Sequence, residues 1–327
     1  MNDKMRAVEH LKNGRFREAR EVLANICKPA CADSDAWGML GAVNVQLGSF
    51  NEAIHCLKRS LTLNPDAVLV RYHLGQACSH THRYGEAVEA YRAVLSQTPN
   101  DFIAYNNLGF ALNRLGKTAE AVDAFLNAIR IKPDYISAHS FLLCVLNNLD
   151  TGTPGRLFDE HKRWEAFHVQ HPAAGREYIN QPDTGKVLRV GYLSPDFRQH
   201  SVNHFFEPLL DLSNPGAVIT YCYANVQKPD EITARLQSKA DHWRDIRKLS
   251  DVDVIRLIRS DEIDILVDLA GHTTGNRLIV FSARPAPVQI TYLGYPMTTG
   301  LDTMDYRITD SWIDPPGNTW GCTRRLI

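Results

Sequence analysis

The chain has 327 residues, enough for two domains, and its net charge is −1, with 36 Lys and Arg against 37 Asp and Glu. This near-neutral charge argues against a nucleic-acid or membrane partner bound through bulk electrostatics. Residues 1–12 lack the apolar core of a signal peptide, and no apolar run approaches the ~18 residues of a membrane span. Seven scattered cysteines without a Cys-x-x-Cys pair predict reduced thiols in a cytoplasmic protein.

A 34-residue repeat occupies the first part of the chain. Leu-Gly pairs begin at positions 40, 74 and 108, alanine recurs at 19, 53, 87 and 121, and proline recurs at 65, 99 and 133. This period with these offsets is typical of tetratricopeptide repeats, in which each unit is a pair of antiparallel helices. We therefore predict an α superhelix over residues 1–150, with about three full units and a partial unit at each end.

The concave face of such a solenoid commonly holds an extended peptide, which we expect to be an acceptor or partner protein. A structural spacer and a homodimer interface through the repeats are the alternatives. His73, His80 and His82 lie close together in sequence, but we expect no metal site there because no carboxylate accompanies them.

The pattern changes after residue 150. Chain-breaking segments at 150–155 and 171–185 flank a charged helix at about 156–168, which predicts a helical linker over 151–186. From residue 187 to 327, strands alternate with helices, which predicts a parallel, doubly wound sheet. The predicted strands are 187–193, 218–223, 263–269, 288–293 and 306–309, and the predicted helices are 202–212, 230–246, 250–260 and 275–284.

Ligands of doubly wound sheets bind beyond the carboxyl ends of the strands. Three polar or glycine-rich loops follow predicted strands, at 194–200, 270–275 and 294–300, and two of them carry a histidine, His200 and His272. A buried structural histidine is the commoner explanation for either one alone. Two histidines at the same edge of one sheet favour a binding site.

Three long motifs resemble a known family. LRVGYLSPDFRQH (188–200), DILVDLAGHT (264–273) and RPAPVQITYLGYP (284–296) are similar to the catalytic region of protein O-GlcNAc transferases. They are closer still to the SPINDLY-type branch, which includes protein O-fucosyltransferases. A preceding tetratricopeptide array is also this family's arrangement, and the resemblance covers roughly residues 35–317.

The resemblance implies an inverting glycosyltransferase of the GT-B type, with two Rossmann-like lobes that face each other across a cleft. A nucleotide sugar, UDP-GlcNAc or GDP-fucose, would donate its sugar to a Ser or Thr of a protein held by the repeats, without a metal. His200 would line the sugar and acceptor site, and Asp261 is a candidate proton acceptor that competes with the donor phosphate. The implied substrate-binding residues are His204, Gly271, His272, Thr273, Leu293, Gly294, Tyr295 and Pro296.

The resemblance ends before the end of the family's catalytic region. The family continues into a second lobe, whereas this sequence departs from the pattern after residue 317 and stops at Ile327. We expect residues 1–327 alone not to turn over a nucleotide sugar efficiently. The alternative function is a non-catalytic interaction module with a remnant glycosyltransferase lobe. A hydrolase or dehydrogenase is disfavoured, because a Gly-x-Ser-x-Gly elbow is absent and no Gly-x-Gly-x-x-Gly follows the first strand.

Overall fold

The computed structural model describes residues 3–148, 154–169, 178, 180, 183, 185–314 and 325–326. The chain divides into two compact units, Met1–Ala138 and His139–Ile327. Among the described residues, no helix is long and apolar enough to cross a lipid bilayer. The departure from the family pattern after residue 317 and most of the two predicted chain breaks lie outside the described residues.

The first unit is built from helix pairs. Its helices are α1 (Asp3–Lys12), α2 (Phe16–Ile26), α3 (Ser34–Gln46), α4 (Phe50–Leu63), α5 (Val68–His80), α6 (Tyr84–Gln97), α7 (Phe102–Arg114) and α8 (Thr118–Ile131). Each odd-numbered helix packs on the next one along the chain. This confirms the predicted solenoid, and the degenerate first repeat also forms its helix pair.

The recurrent small residues of the repeat lie where two helices meet. A Cβ atom built on Gly109 would lie 2.8 Å from Cε1 of Phe125, whose ring is 1% exposed. Gly116 adopts a φ of +75° in the turn that follows α7, a conformation that favours glycine. Helix α8 ends two residues before Pro133, since proline cannot continue a helix. The residues that recur every 34 positions therefore lie at close helix contacts, in turns and at helix ends.

The second unit is an α/β lobe preceded by two helices. Helix α9 (Ile136–Leu146) crosses the boundary between the units and is followed by α10 (Pro154–His168). The remaining helices are α11 (Asn203–Asp211), α12 (Glu231–Lys239), α13 (Asp251–Ser260) and α14 (Leu278–Ser282). The strands are β1 (Leu188–Ser194), β2 (Val218–Ala224), β3 (His242–Asp245), β4 (Ile265–Asp268), β5 (Val288–Tyr292), β6 (Tyr306–Ile308) and β7 (Arg325–Leu326).

In the described part of the chain these seven strands form one sheet in the order β3-β2-β1-β4-β5-β6-β7, and every neighbouring pair is parallel. Side chains alternate between two apolar layers. Leu193, Tyr223 and Leu266 pack with α13 on one face, whereas Val190 and Val267 pack with α11 and α12 on the other. The doubly wound lobe predicted from the alternating pattern is confirmed.

Two element predictions were wrong in detail. The helix expected over 230–246 ends at Lys239, and the edge strand β3 follows it, with Trp243 opposite Cys222 of β2. The gain from pairing this segment with the sheet overrides its local helical pattern. The helix expected over 275–284 is reduced to α14, because Gly275 has a φ of +82° that a helix cannot accommodate.

Helices α9 and α10 pack on the α/β lobe. Leu143 of α9 and the fully buried Trp164 of α10 belong to the same apolar cluster as strand residues of the sheet. The compact unit therefore begins at His139, earlier than the domain boundary predicted at residue 150 and inside a helix whose sequence still resembles a repeat. The segment predicted as a linker contributes α10, a structural layer of the lobe.

Histidines fill the space between α10 and the sheet. The rings of His139 and His168 contact each other, with Nδ1 of His139 3.2 Å from Nε2 of His168. His161 is fully buried and contacts the ring of His272, which follows β4. Burial lowers the pKa of His139 and of His161 to about 4, so both rings are neutral at physiological pH.

The repeat packing predicts opposite effects of one substitution at two helical glycines. Gly109→Ala should destabilise the chain by about 1–3 kcal/mol, because the new methyl group overlaps the buried ring of Phe125. Gly85→Ala, at a helical position with nothing within 4 Å, should be neutral or stabilise by up to ~1 kcal/mol through helix propensity. Urea unfolding followed by circular dichroism measures both. Equal effects of the two substitutions would contradict the packing argument.

The histidine cluster predicts an acid-sensitive lobe. The folded-state pKa values of His139 and His161 lie below their unfolded values, so their contribution to stability is complete above about pH 6.5 and is lost as the pH falls toward 4. At pH 5 the free energy of unfolding should be lower than at neutral pH by roughly 1–2 kcal/mol for each of these two histidines. Urea titrations at pH 7.5 and pH 5 test this expectation. His139→Gln should reduce the pH dependence, and an unchanged dependence would argue against the cluster as its source.

Candidate functional site

The predicted loops gather at one edge of the sheet. Strands β1, β4 and β5 are parallel neighbours, so the segments that follow them, at 195–202, 269–277 and 293–300, all lie at the carboxyl edge. This is the edge at which open α/β sheets bind their ligands. The following paragraphs take the predicted site residues loop by loop.

His200 lies in the loop after β1 and is partly exposed. Its Nδ1 accepts the backbone N–H of Val202 at 3.4 Å, and its Nε2 lies 3.9 Å from Oδ1 of Asp196. Asn203 fixes the loop, because its amide donates to the carbonyl of Asp196 at 2.7 Å. The contact with Val202 favours the neutral tautomer with its proton on Nε2. In that form the ring is arranged to donate a hydrogen bond to a substrate oxygen.

His200 and His204 line the same cavity, which has a volume of about 630 Å³. The other residues of its lining are polar with the exception of Ile232, and come from the loop after β1, from α11 and from the start of α12. They are Gln199, Asn203, Glu207, Asp230, Glu231, Ile232 and Arg235. The structure thus brings together two of the predicted site residues in a space large enough for a sugar or a peptide side chain.

Ion pairs and backbone donors set the charge of this cavity. Arg235 and Lys239 lower the pKa of Glu207 to about 2. Asp230 caps α12 and also accepts the backbone N–H of Gln199 at 2.7 Å, which lowers its pKa. Both carboxylates are therefore ionised and already engaged, and they tie α12 to α11 and to the loop that carries His200.

The loop after β4 is organised by Asp268, a fully buried carboxylate that the sequence analysis did not identify. Asp268 accepts the backbone N–H groups of Ala270 and Gly271 at 3.0 and 2.9 Å and the hydroxyl of Thr291 at 2.8 Å. Burial raises its pKa, while these hydrogen bonds stabilise the ionised form. An acidic residue that ends a buried apolar strand was the available signal.

The loops after β4 and β5 interlock through two glycines. A Cβ atom on Gly294 would lie 1.9 Å from the carbonyl oxygen of Leu269, and one on Gly271 would lie 2.2 Å from Cβ of Tyr295. Gly271 and Leu293 both have positive φ, of +53° and +71°. The Gly-His-Thr and Leu-Gly-Tyr-Pro motifs therefore form one packed structure at the edge of the sheet.

His272 faces into the protein and not toward the open edge. Its side chain is 1% exposed, its Nε2 donates to the carbonyl of Thr299 at 2.9 Å, and its Nδ1 finds no partner among the described atoms. Burial holds its pKa well below the usual range. In this position the ring anchors the loop to the carbonyl of Thr299, and the binding role that the resemblance implies stays a prediction.

Tyr295 also points inward. It is 6% exposed, and its hydroxyl donates to Nε2 of His161 at 2.9 Å, since Nδ1 of His161 donates to the carbonyl of Leu157. Thr273 is half-buried and donates to the carbonyl of Ala270 at 2.8 Å. Of the two motifs, Pro296 has an exposed side chain.

Asp261 lies at the end of α13, before β4 begins. It forms an ion pair with Arg244 at 2.8 Å and accepts the hydroxyl of Tyr223 at 2.8 Å. Its carbonyl accepts from the side chain of Arg189, at the beginning of β1, which places it toward the amino edge of the sheet. The structure therefore does not bring Asp261 to His200, and its carboxylate serves an ion pair at the other end of the strands.

Two further polar residues stabilise the carboxyl edge of the sheet. No sequence pattern pointed to them. The amide of Asn225, directly after β2, donates to the carbonyl of Gly275 at 2.9 Å. The guanidinium of Arg277 donates to the carboxylate of Asp251 at 2.6 Å and to the carbonyl of Leu249 at 3.0 Å. Only the fold brings these segments together. No group of three or more His, Cys, Asp or Glu able to hold a metal ion occurs among the residues that the structure describes.

Comparison with known proteins matches both units. Residues 162–321 match glycosyl transferase family 41, and residues 39–102 and 81–136 match the tetratricopeptide repeat. The rice protein named probable UDP-N-acetylglucosamine–peptide N-acetylglucosaminyltransferase SPINDLY is 40% identical over 192 residues, which is 57% of this chain and 20% of the rice protein. A Caenorhabditis elegans UDP-N-acetylglucosamine–peptide N-acetylglucosaminyltransferase is 35% identical over 133 residues, 40% of this chain and 12% of that protein.

A solved structure of a mutant O-GlcNAc transferase from Thermobaculum terrenum is similar, with a TM-score of 0.80 and 31% sequence identity. The match covers 90% of this chain and 57% of the solved one. This chain thus spans about a fifth of the length of the SPINDLY relatives that it matches and little more than half of the solved enzyme. With tetratricopeptide repeats followed by a region that matches family 41, the chain is similar to O-GlcNAc transferases and SPINDLY-type proteins.

Proposed function

We propose that this chain contributes the repeats and one catalytic lobe of an inverting protein O-glycosyltransferase. The observation that carries the proposal is the family 41 match over the segment whose loops form the carboxyl edge and the cavity of His200. In the proposed reaction a Ser or Thr hydroxyl attacks the anomeric carbon of a nucleotide sugar. The bond from that carbon to the diphosphate breaks, and the hydroxyl proton passes to a base.

The geometry favours particular roles for the residues of the lobe. His200, with its proton on Nε2, would donate to an oxygen of the sugar or of the acceptor and hold it at the cavity. The N–H groups of Ala270, Gly271 and Gly294 already donate within the lobe, so other backbone N–H groups of these loops would stabilise the charge of the departing diphosphate. Asp261 is a poor candidate for the base, because its ion pair with Arg244 lies toward the amino edge. Nε2 of His200 carries the donated proton and its Nδ1 accepts from Val202, so the donor phosphate is the remaining candidate.

The donor is a nucleotide sugar in this proposal. The names of the relatives favour UDP-GlcNAc, and the resemblance to the SPINDLY branch keeps GDP-fucose as the second candidate. The repeats support protein partners in general. The proposal has four further parts: these partners are the acceptors, two copies associate through the repeats, no metal takes part, and the protein is cytoplasmic.

The test is sugar transfer by the native protein that contains this sequence. It is incubated with protein acceptors and with labelled UDP-GlcNAc or labelled GDP-fucose in parallel reactions. Label that enters protein and is released by β-elimination, which cleaves O-linked sugars, supports the proposal and names the donor. If neither donor labels protein, the proposal fails and the repeats are better regarded as an interaction module.

His200→Ala in the native protein should reduce sugar transfer by about 10²-fold or more, because the substitution removes a positioned hydrogen-bond donor from the cavity. The matched control is His55→Ala, at an exposed position of α4 in the first unit. Initial rates of labelled-sugar incorporation measure both variants, and circular dichroism checks their folding. A folded His200→Ala variant with at least half of the original rate would contradict the assignment.

Gly294→Ala should destabilise the lobe by about 1–3 kcal/mol and abolish most transfer, because a Cβ atom there overlaps the carbonyl of Leu269. Pro296→Ala, two residues away and exposed, should stay within about 0.5 kcal/mol of the original stability. Thermal unfolding and the transfer assay together measure the outcome. Normal stability and normal transfer in Gly294→Ala would show that the two loops need not interlock.

A further inference from the structure

A second cavity lies within the repeats and belongs to neither of the loop motifs. Its volume is about 330 Å³, at the lower end of the range for ligand pockets. It is bounded by α5, by the turn between α5 and α6, and by α6 and α7. Its lining, here called the aromatic pocket, consists of Gln76, Ser79, His80, His82, Tyr84, Tyr91, Asn107 and Phe110.

The aromatic pocket opens on the inner side of the solenoid. Helices α3, α5 and α7 are the first helices of successive repeats, and they pack directly on one another, α3 on α5 and α5 on α7. First helices that touch across repeats lie on the inner side of the superhelical curve, where solenoid proteins hold extended segments. Most of the pocket's lining comes from α5 and α7.

Rings form one wall of the pocket in an arrangement suited to another ring. Tyr84 contacts Phe110 edge to face, with centroids 6.5 Å apart, and contacts His82 in the same way at 5.7 Å. The guanidinium of Arg114 lies 5.6 Å from the centroid of the Tyr84 ring. Edge-to-face packing is a preferred geometry for aromatic pairs, so an aromatic ligand side chain gains directional contacts here.

Hydrogen bonds fix this wall before any ligand arrives. The hydroxyl of Tyr84 donates to Nδ1 of His82 at 2.8 Å and accepts from Nε of Arg114 at 3.3 Å. On the other side, the amide of Asn107 donates to the hydroxyl of Tyr72 at 3.1 Å and so joins α7 to α5. A pocket with prearranged walls loses less entropy when it binds.

A positive charge lies beside the pocket. The guanidinium of Arg114 lies against the ring of Tyr84. Arg83, the residue before Tyr84, pairs with Glu86, as does Lys58. None of the eight described lining residues is a carboxylate. The local excess of positive charge favours a ligand with carboxylates beside its anchor.

We propose that the aromatic pocket binds the aromatic side chain of an extended peptide segment that carries carboxylates next to the aromatic residue. The ring packs against the wall formed by Tyr84 and Phe110, and the carboxylates face Arg114. This inference rests on the proposed function only in so far as the repeats hold protein partners. It selects acidic, aromatic segments among them.

The test is a binding measurement with residues 1–327 and synthetic fluorescein-labelled peptides, without a nucleotide sugar. One peptide has a single Phe between two pairs of Asp in a Gly-Ser background. A second peptide has Ala in place of Phe, and a third has Lys in place of Asp. Fluorescence anisotropy at low ionic strength should give micromolar affinity for the first peptide. The Ala and Lys peptides should bind at least about 10-fold more weakly.

Matched variants locate the binding. Arg114→Gln should weaken binding of the first peptide by about 5-fold and Phe110→Ala by about 10-fold. Arg130→Gln, on the exposed surface of α8 beside Asn127, should leave the affinity unchanged. Circular dichroism identifies any variant that fails to fold, and Arg114→Gln, at an exposed position, remains informative if Phe110→Ala does not fold.

Equal affinity for the Phe and Ala peptides, tighter binding of the Lys peptide, or equal loss in Arg114→Gln and Arg130→Gln would each overturn the inference. Failure here is separable from failure of the proposed function. Sugar transfer by the native protein with no aromatic-acidic binding would refute the pocket alone. Specific peptide binding without transfer from either donor would refute the enzyme and leave the pocket.

Discussion

The buried carboxylate of Asp268 is the interaction on which the candidate site depends. It ends β4 and accepts the backbone N–H groups of Ala270 and Gly271, the second and third residues of the loop that follows. It also accepts the hydroxyl of Thr291 on β5. A buried charge that loses such partners is costly, so the loop is held in one conformation. That conformation sets the positive φ of Gly271, and it lets Gly294 pack on the carbonyl of Leu269. The edge of the sheet is thereby a rigid support for any ligand.

The same edge is held from behind by neutral aromatic and histidine side chains. His272 donates to Thr299, and Tyr295 donates to His161, whose other nitrogen donates to a helix carbonyl. Buried imidazoles with low pKa values act here as hydrogen-bonding groups of fixed tautomer. His200 and His204 differ from them because both line the cavity at the edge of the sheet. The described histidines of this lobe therefore include buried structural members and two members that a ligand can reach.

The repeats combine rigidity with a surface that differs from unit to unit. Buried small residues such as Ala121 and Gly109 let paired helices approach, and this requirement is the same in each repeat. The residues that face the inner side are free of that requirement. At the third and fourth helix pairs, Phe110 and Arg114 of α7 contact the ring of Tyr84. An aromatic residue recurs at the position of Tyr84, as Phe16 and Phe50, whereas the residues 34 positions before Phe110 and Arg114 are Gln76 and His80. Specificity in such an array resides in the positions that do not repeat.

The sequence by itself determined the repeat architecture, the parallel sheet and the three loops at its carboxyl edge. Periodic small residues, prolines and alternating strands are local signals, and parallel strands must end at a common edge. It also pointed to His200 and His204, which share a cavity. It missed β3, because the pairing of Trp243 with β2 depends on a partner distant in sequence. Only the tertiary structure decided that His272 faces inward, that Asp261 pairs with Arg244 and that Asp268 organises the site. The direction of a side chain and the identity of its partner arise from packing between distant segments, which a linear pattern does not record.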